Sequence, residues 1–291
     1  MQTEGRAAAV LLKGRFRLLW RTALILLRIS LGTVQVACVD WDSLRQKPDA
    51  QGGEVGDADA RTDRDPGIAG EPLVHWEFAL LREGMVDDAA PLAPSMPLSL
   101  SRLSGNAPVV EGEKLWLRGN LLHASIGATQ ELGRAVTEAG GALTAILWFQ
   151  TNAIPQNAFL LGSDGRAFSL TVRDAELLLE VATTSSVITV AYPLPFPARE
   201  QLHQLAFTYR PGLAALVTCY LDGEAVAVAG EENPMGVSNL DWPTATKGQT
   251  ETLRVSDGQL DDLRVSAAAI FAEELRAAEI RRLFAAGSSR L

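Results

Sequence analysis

Asp261 carries the most specific chemical implication in this sequence. It lies in Gly258-Gln259-Leu260-Asp261-Asp262-Leu263-Arg264-Val265-Ser266, where Leu263 and Val265 alternate with Asp262, Arg264 and Ser266. That alternation predicts a half-buried strand. It also places Asp261 on the face of Leu263 and Val265. A carboxylate on a core-directed face must be hydrogen-bonded, paired or metal-bound, because a bare buried charge is costly. A second pair, Glu176 and Glu180, shares one face of the strand-like run Glu176-Leu177-Leu178-Leu179-Glu180-Val181. A glycosidase needs two carboxylates ~5 to 10 Å apart. Four strand residues at ~3.3 Å each separate these two by ~13 Å, so they read as solvated carboxylates on an outer sheet face.

The other reactive residue types exclude more than they assign. His75, His123 and His203 are the only histidines and lack metal spacing such as His-x-x-x-His. There is no Gly-x-Ser-x-Gly elbow, and Cys219 has no neighbouring cue of activation. Cys38 and Cys219 are the only cysteines, so no disulfide framework or thiolate metal site can be built. Stacking platforms for a sugar would be aromatic, with polar groups beside them. Trp116, Tyr192 and Trp242 are the candidates, with Asn152, Gln156 and Asn157 in a loop of suitable composition.

Charge and patterning divide the chain. The formal net charge is -9 over 291 residues. Residues 1 to 38 hold Arg6, Lys13, Arg15, Arg17, Arg21 and Arg28 against Glu4, a net of +5, which leaves -14 for the rest. An acidic body argues against a nucleic-acid partner, because phosphate binding rests on Lys and Arg. The basic start, the apolar run Thr22 to Leu31 and Ala37-Cys38 form a signal-peptide layout. Residues 1 to 38 are therefore expected to be a signal peptide or a membrane anchor. Cys38 is the candidate lipidation site, since Ala37-Cys38 is similar to a lipoprotein cleavage box, with Gln35 where such boxes carry Leu. An uncleaved anchor and an amphipathic cytoplasmic helix are the alternatives; the apolar run is short for a span of ~20 residues. Residues 39 to 72 are rich in Gly, Asp and Arg without an apolar period. They are expected to be a disordered acidic linker, unable to bury enough surface to offset ordering entropy.

From residue 73 the pattern changes to short strands between Gly, Pro and Asp turns, which predicts a β-sandwich. Val74, Trp76 and Phe78 alternate. Further strands are expected at Lys114 to Gly119, Gly141 to Phe149, Glu176 to Val181 and Gln201 to Tyr209. Hairpins are expected around Asp164-Gly165 and Asp222-Gly223, since Gly tolerates the backbone of a tight turn. Leu275, Ile280, Leu283 and Phe284 predict a short C-terminal helix stopped at Gly287.

Several of these stretches, in this order, resemble the laminin-G-like domains of the concanavalin A-like lectin/glucanase superfamily. The Trp76 strand is similar to the family's opening Trp-x-Phe-Asp strand, with Ala79 in place of the Asp, and Gly84 to Ala90 occupies the place of its Asp-rich turn. Trp148 stands at the Trp of its central strand. Gln201 to Tyr209 resembles its Trp-x-His-Val-Ala-x-Thr-Tyr strand, with Leu202 for Trp and Gln204 for His. Leu221-Asp222-Gly223 matches its Asp-Gly hairpin. Gly258 to Val265 and the following helix match its ending.

The resemblance implies an all-β jelly roll of two curved antiparallel sheets over residues 73 to 291, closed by a short C-terminal helix. It implies a structural calcium where the first and last strands meet, with Asp261 as a ligand. Ala79 removes one contributor to that site, and a carboxylate hydrogen-bonded to backbone amides remains an equal account of Asp261. The expected function is non-catalytic: an exported domain, periplasmic, at the cell surface or membrane-anchored through its N-terminus. It would recognise a glycan or an envelope or extracellular protein, with Trp116 and Trp242 as ligand-binding candidates. A structural or adhesion module without a sugar site is the alternative. A hydrolase is disfavoured, because the superfamily's Glu-x-Asp-x-x-Glu strand is missing.

Overall fold

The structure is a computed structural model that describes residues 70–90, 95–151, 157–163, 166–173, 176–193, 201–232, 239–243, 252–256, 258–259 and 262–288. The chain divides between residues 61 and 62, and every described residue belongs to the C-terminal unit. The expected leader with Cys38, the linker up to residue 69, Asn152, Gln156, the Asp164-Gly165 turn and Asp261 lie outside the described residues.

Among the described residues sixteen strands follow one another in chain order. They are β1 (Val74–Glu77), β2 (Met85–Val86), β3 (Leu98–Ser101), β4 (Val109–Glu111), β5 (Lys114–Trp116), β6 (Leu121–His123), β7 (Leu143–Gln150) and β8 (Asn157–Ser163). There follow β9 (Arg166–Arg173), β10 (Glu176–Ala182), β11 (Val187–Pro193), β12 (His203–Arg210), β13 (Ala214–Leu221), β14 (Glu224–Glu232), β15 (Arg254–Val255) and β16 (Arg264–Phe271). Two helices join them among the described residues, α1 (Ile126–Glu138) and α2 (Ala277–Ala286). Sheet A has the order β14-β13-β12-β7-β16-β5-β4, with β1 also paired to β16, and sheet B the order β11-β10-β9-β8-β15-β6-β3-β2. All pairings are antiparallel. This is the expected jelly-roll sandwich of two sheets.

Period-two alternation explains the core. Trp76, Phe78, Leu115, Phe149, Phe207 and Tyr209 point inward from sheet A and its margins, and meet Leu98, Leu122, Phe168, Leu170, Leu179 and Val255 from sheet B. Each such side chain contributes about 1.5 to 3 kcal/mol on burial. The Trp76 indole N–H donates to the Met96 carbonyl at 2.6 Å, so its one polar group is satisfied in the core. The β13–β14 hairpin turns at Asp222-Gly223, where both residues have positive φ (51° and 81°), the backbone that an Asp-Gly turn favours.

Two features depart from expectation. Helix α1 was not foreseen among the strands. Ser125 caps it by accepting from the Ala128 N–H at 3.1 Å. Its buried residues Thr129, Leu132, Gly133 and Val136 follow the helical period and lie on one stripe. The final strand also runs further than its opening suggests, through Ala267, Ala268, Ala269, Ile270 and Phe271. Consequently α2 starts at Ala277. The small Ala267 and Ala269 let Leu275 and Ile280 pack closely over Ile146, Trp148, Ala206 and Tyr220, forming a second apolar layer on the outer face of sheet A. Arg281 clamps Glu224 through two bonds of 3.0 and 3.1 Å, fixing α2 to the β13–β14 hairpin. Among the described residues no helix is long and apolar enough to cross a membrane.

Candidate functional site

The register of sheet B lines up polar side chains on its outer face. Ser99 pairs with His123, His123 with Arg254, Arg254 with Gly162, Gly162 with Ser169, Ser169 with Glu180 and Glu180 with Thr189. Directly paired residues share a face, and here that face is opposite Leu122, Val255, Leu170 and Leu179, which point into the core. One row of hydroxyl, imidazole, guanidinium and carboxylate groups therefore crosses seven strands. At ~4.8 Å per strand the row spans about 29 Å.

The neighbouring row is Phe159, Thr171, Leu178 and Ala191. The guanidinium carbon of Arg254 lies 4.4 Å from the centroid of Phe159, a cation–π contact that holds it over the sheet. Ser169 donates to Glu180 Oε2 over a long 3.5 Å. Phe159 and Ser169 are only 4% and 2% exposed although they face away from the core. The face is therefore covered at its centre. Gly162 leaves a gap in the row between Ser169 and Arg254.

The row presents hydrogen-bond donors and acceptors along the sheet. Glu176 and Glu180 stand four residues apart on β10, as expected from the sequence. Among the described residues no cluster of three or more His, Cys, Asp or Glu side chains could hold a metal ion. Cys219 is buried, and burial pushes its thiol up to about 12, so it is no nucleophile. His75 is 4% exposed; burial holds its pKa below the ordinary value against the opposing charges of Glu77 and Asp88. His203 donates from Nδ1–H to Asp222 Oδ2 over 2.8 Å, and this pair braces the hairpin turn.

The two tryptophans singled out from the sequence sit in different places. Trp116, on β5, lies on the outer face of sheet A, half-buried, with the guanidinium carbons of Arg118 and Arg264 at 5.1 and 4.8 Å from its ring. Trp242 packs against α1 at Gly133 and meets Phe168 edge-on with centroids 6.5 Å apart. Tyr192 packs against the core. Neither tryptophan joins the row on sheet B. Of that row, the sequence marks Glu180 only as a solvated carboxylate on an outer sheet face and gives no site role to His123, Ser99, Ser169, Thr189 or Arg254. The alternation on β9 and β10 signals Ser169 and Glu180, but a two-residue strand such as β15 carries no readable period.

A laminin-G family model, described as the concanavalin A-like lectin/glucanases superfamily, matches residues 126–276, just over half of the chain. Among solved structures, the receptor binding domain of botulinum neurotoxin C/D mosaic serotype is similar with a TM-score of 0.51 and 10% identity over 74% of this chain and 51% of that one. The binding domain of botulinum neurotoxin DC in complex with SialylT gives the same TM-score of 0.51, 10% identity and the same 74% and 51% coverage. The chain thus spans about half the length of these structures, and at such identity the likeness is one of fold. No curated protein sequence matches the chain.

Proposed function

We propose that the chain, which belongs to the concanavalin A-like lectin/glucanases superfamily, is a non-catalytic recognition module that binds a glycan strand along the outer face of sheet B. The observation that carries this is the row from Ser99 to Thr189, set in register across seven strands. A sugar chain presents hydroxyls at intervals, and the half-buried Ser99, His123, Arg254 and Glu180 and the exposed Thr189 offer donors and acceptors on either side of the covered centre. Arg254, held over Phe159, brings five N–H donors in a fixed plane. Held side chains lose less conformational freedom on binding, which raises affinity. The similar neurotoxin structures are named as binding domains, a parallel in the use of the scaffold.

The domain works outside the cytoplasm, attached through its N-terminus, with Cys38 as the lipidation site. Asp261 holds a structural calcium beside the final strand. Trp116 and Trp242 lie off that row and are the aromatic candidates for stacking if the glycan binds elsewhere on the domain. A protein surface in place of a glycan, or a purely structural role in the envelope, are the competing outcomes.

The test is a pull-down of the intact chain on insoluble and arrayed polysaccharides, with calcium and with chelator. Arg254→Gln, Glu180→Gln, Trp116→Ala and Trp242→Ala are run alongside. Binding that falls about tenfold in Arg254→Gln and Glu180→Gln, the scale of one lost charge-assisted hydrogen bond, supports the sheet B face. Loss in a folded tryptophan variant alone moves the site to that tryptophan. Loss with chelator assigns calcium to recognition. Absence of binding to every polysaccharide overturns the glycan reading in favour of a protein partner or a structural role. Release of reducing ends on long incubation with β-glucans would overturn the non-catalytic assignment.

A further inference from the structure

A second strip of polar and charged side chains crosses the outer face of sheet A, beyond the apolar layer under α2 and starting at the buried Gln150. Gln150 on β7 pairs with Arg264 on β16, and Arg264 pairs with Trp116 on β5. Lys114, two residues before Trp116, donates from Nζ to Gln150 Oε1 at 2.7 Å, reaching across β16. Arg118 leaves β5 through a left-handed backbone (φ 52°) and brings its guanidinium back to the indole. Three cations, one amide and one indole thus converge on a body whose net charge is negative. The acidic groups nearby are Glu111, whose Oε2 is 3.8 Å from Arg264 Nη2, the exposed Glu113, and Asp262, which accepts from Thr151.

Two observations mark this strip as more than a solvated face. The Arg264 side chain is 23% exposed, yet its Nε is buried and has no hydrogen-bond partner among the described residues. With Nε buried, the Nη edge, which Glu111 approaches at 3.8 Å, is the part of the guanidinium that a ligand can meet. The Trp116 ring also orders both guanidiniums, at 5.1 and 4.8 Å, so their forks are positioned before any ligand arrives.

We infer that Trp116, Arg264, Arg118 and Lys114 form an oxyanion-recognition site for a carboxylate-bearing sugar, a uronate unit of an acidic polysaccharide. A planar carboxylate fits a guanidinium fork through two parallel N–H···O bonds. The long contact between Glu111 and Arg264 is the one that an incoming carboxylate displaces. The indole edge and the aliphatic stems of Lys114 and Arg264 supply the apolar surface that a sugar ring covers. The site is on the sheet opposite the Ser99–Thr189 row and uses none of its residues, so it stands or falls separately from that row.

The test measures binding of the intact chain by calorimetry to polygalacturonate, to its methyl-esterified form and to dextran sulfate, at low and high salt. The expected result is preference for polygalacturonate over its ester, weakening as salt rises. Arg264→Gln should lose about tenfold, and Arg264→Lys should recover only part of it, because a point charge cannot make the paired bonds. Arg134→Gln, on the exposed side of α1, removes one positive charge elsewhere and serves as the control. If Arg264→Gln fails to fold by circular dichroism, Lys114→Gln and Arg118→Gln carry the same prediction. Equal binding to polygalacturonate and its ester overturns the inference. So does loss in Arg134→Gln equal to that in Arg264→Gln, and so does binding of dextran sulfate as tight as that of polygalacturonate, which would show generic charge attraction. Loss of neutral-glycan binding in Arg254→Gln with acidic binding intact would separate the two sites.

Discussion

Replacing Gly162 by alanine tests the link between sheet register and the sheet B face. Gly162 lies on β8 with φ of 133°, beside a register shift in the β8–β9 ladder. A Cβ there would sit 2.3 Å from the Phe168 carbonyl oxygen and 2.8 Å from Ser169 Cα. Both are backbone atoms of the paired strand, so relief requires β8 and β9 to separate by about 1 Å from the present contact. Overpacking of this kind costs ~1 to 3 kcal/mol, and the forced backbone adds ~1 to 3 kcal/mol. The lower entropy of the unfolded alanine chain offsets only ~0.4 to 1 kcal/mol. A net loss of about 3 kcal/mol results, equivalent to about 6 to 12 °C in melting temperature for a domain of this size. Gly105 is the control: nothing lies within 4 Å of a Cβ placed there, and Gly105→Ala should stay within ~0.5 kcal/mol. Thermal melts followed by circular dichroism or calorimetry read the difference. If Gly162→Ala melts with Gly105→Ala, the β8–β9 contact is looser than described, and the row between Ser169 and Arg254 is not held as argued.

Asn120 is fully buried; its Oδ1 accepts from the Leu103 N–H at 3.2 Å and its Nδ2 donates to the Leu117 and Asn106 carbonyls at 2.7 and 2.9 Å. Asn120→Ala should destabilise by ~2 to 3 kcal/mol in urea titrations, since buried backbone groups lose their partners. Cys219, with its thiol pushed up to about 12 by burial, should resist disulfide reagents in a native Cys38→Ser chain and react once urea unfolds it. His75 has a folded pKa below its unfolded value of about 6.5. The unfolded chain therefore binds more protons below that pH, so the His75 contribution is complete above about 6.5 and declines as the solution is acidified. His75→Gln should flatten the fall in stability below pH ~6.5, read from melts across pH; an unchanged slope would show that other groups set it.

Fold class was legible in the sequence because alternation needs only local information. Val74, Trp76 and Phe78 reveal a strand with one buried face, and Asp222-Gly223 reveals its own turn, since the turn backbone is set by the residues within it. The stripe of Thr129, Leu132, Gly133 and Val136 was equally local, but a run opening with Gly127 and holding Gly133 is weak in helix propensity. Packing against the core stabilises it. Which polar residues would meet was decided by the tertiary structure. Ser99 and Thr189 are ninety residues apart in the chain, and only the pairing of seven strands puts them in one row. The two tryptophans divide for the same reason. Trp116 stands outward because Leu115 points in, whereas Trp242 is taken up by a helix whose Gly133 leaves room for it. Sequence alone determined the periods of burial along each strand; register and helix docking determined which side chains those periods bring together.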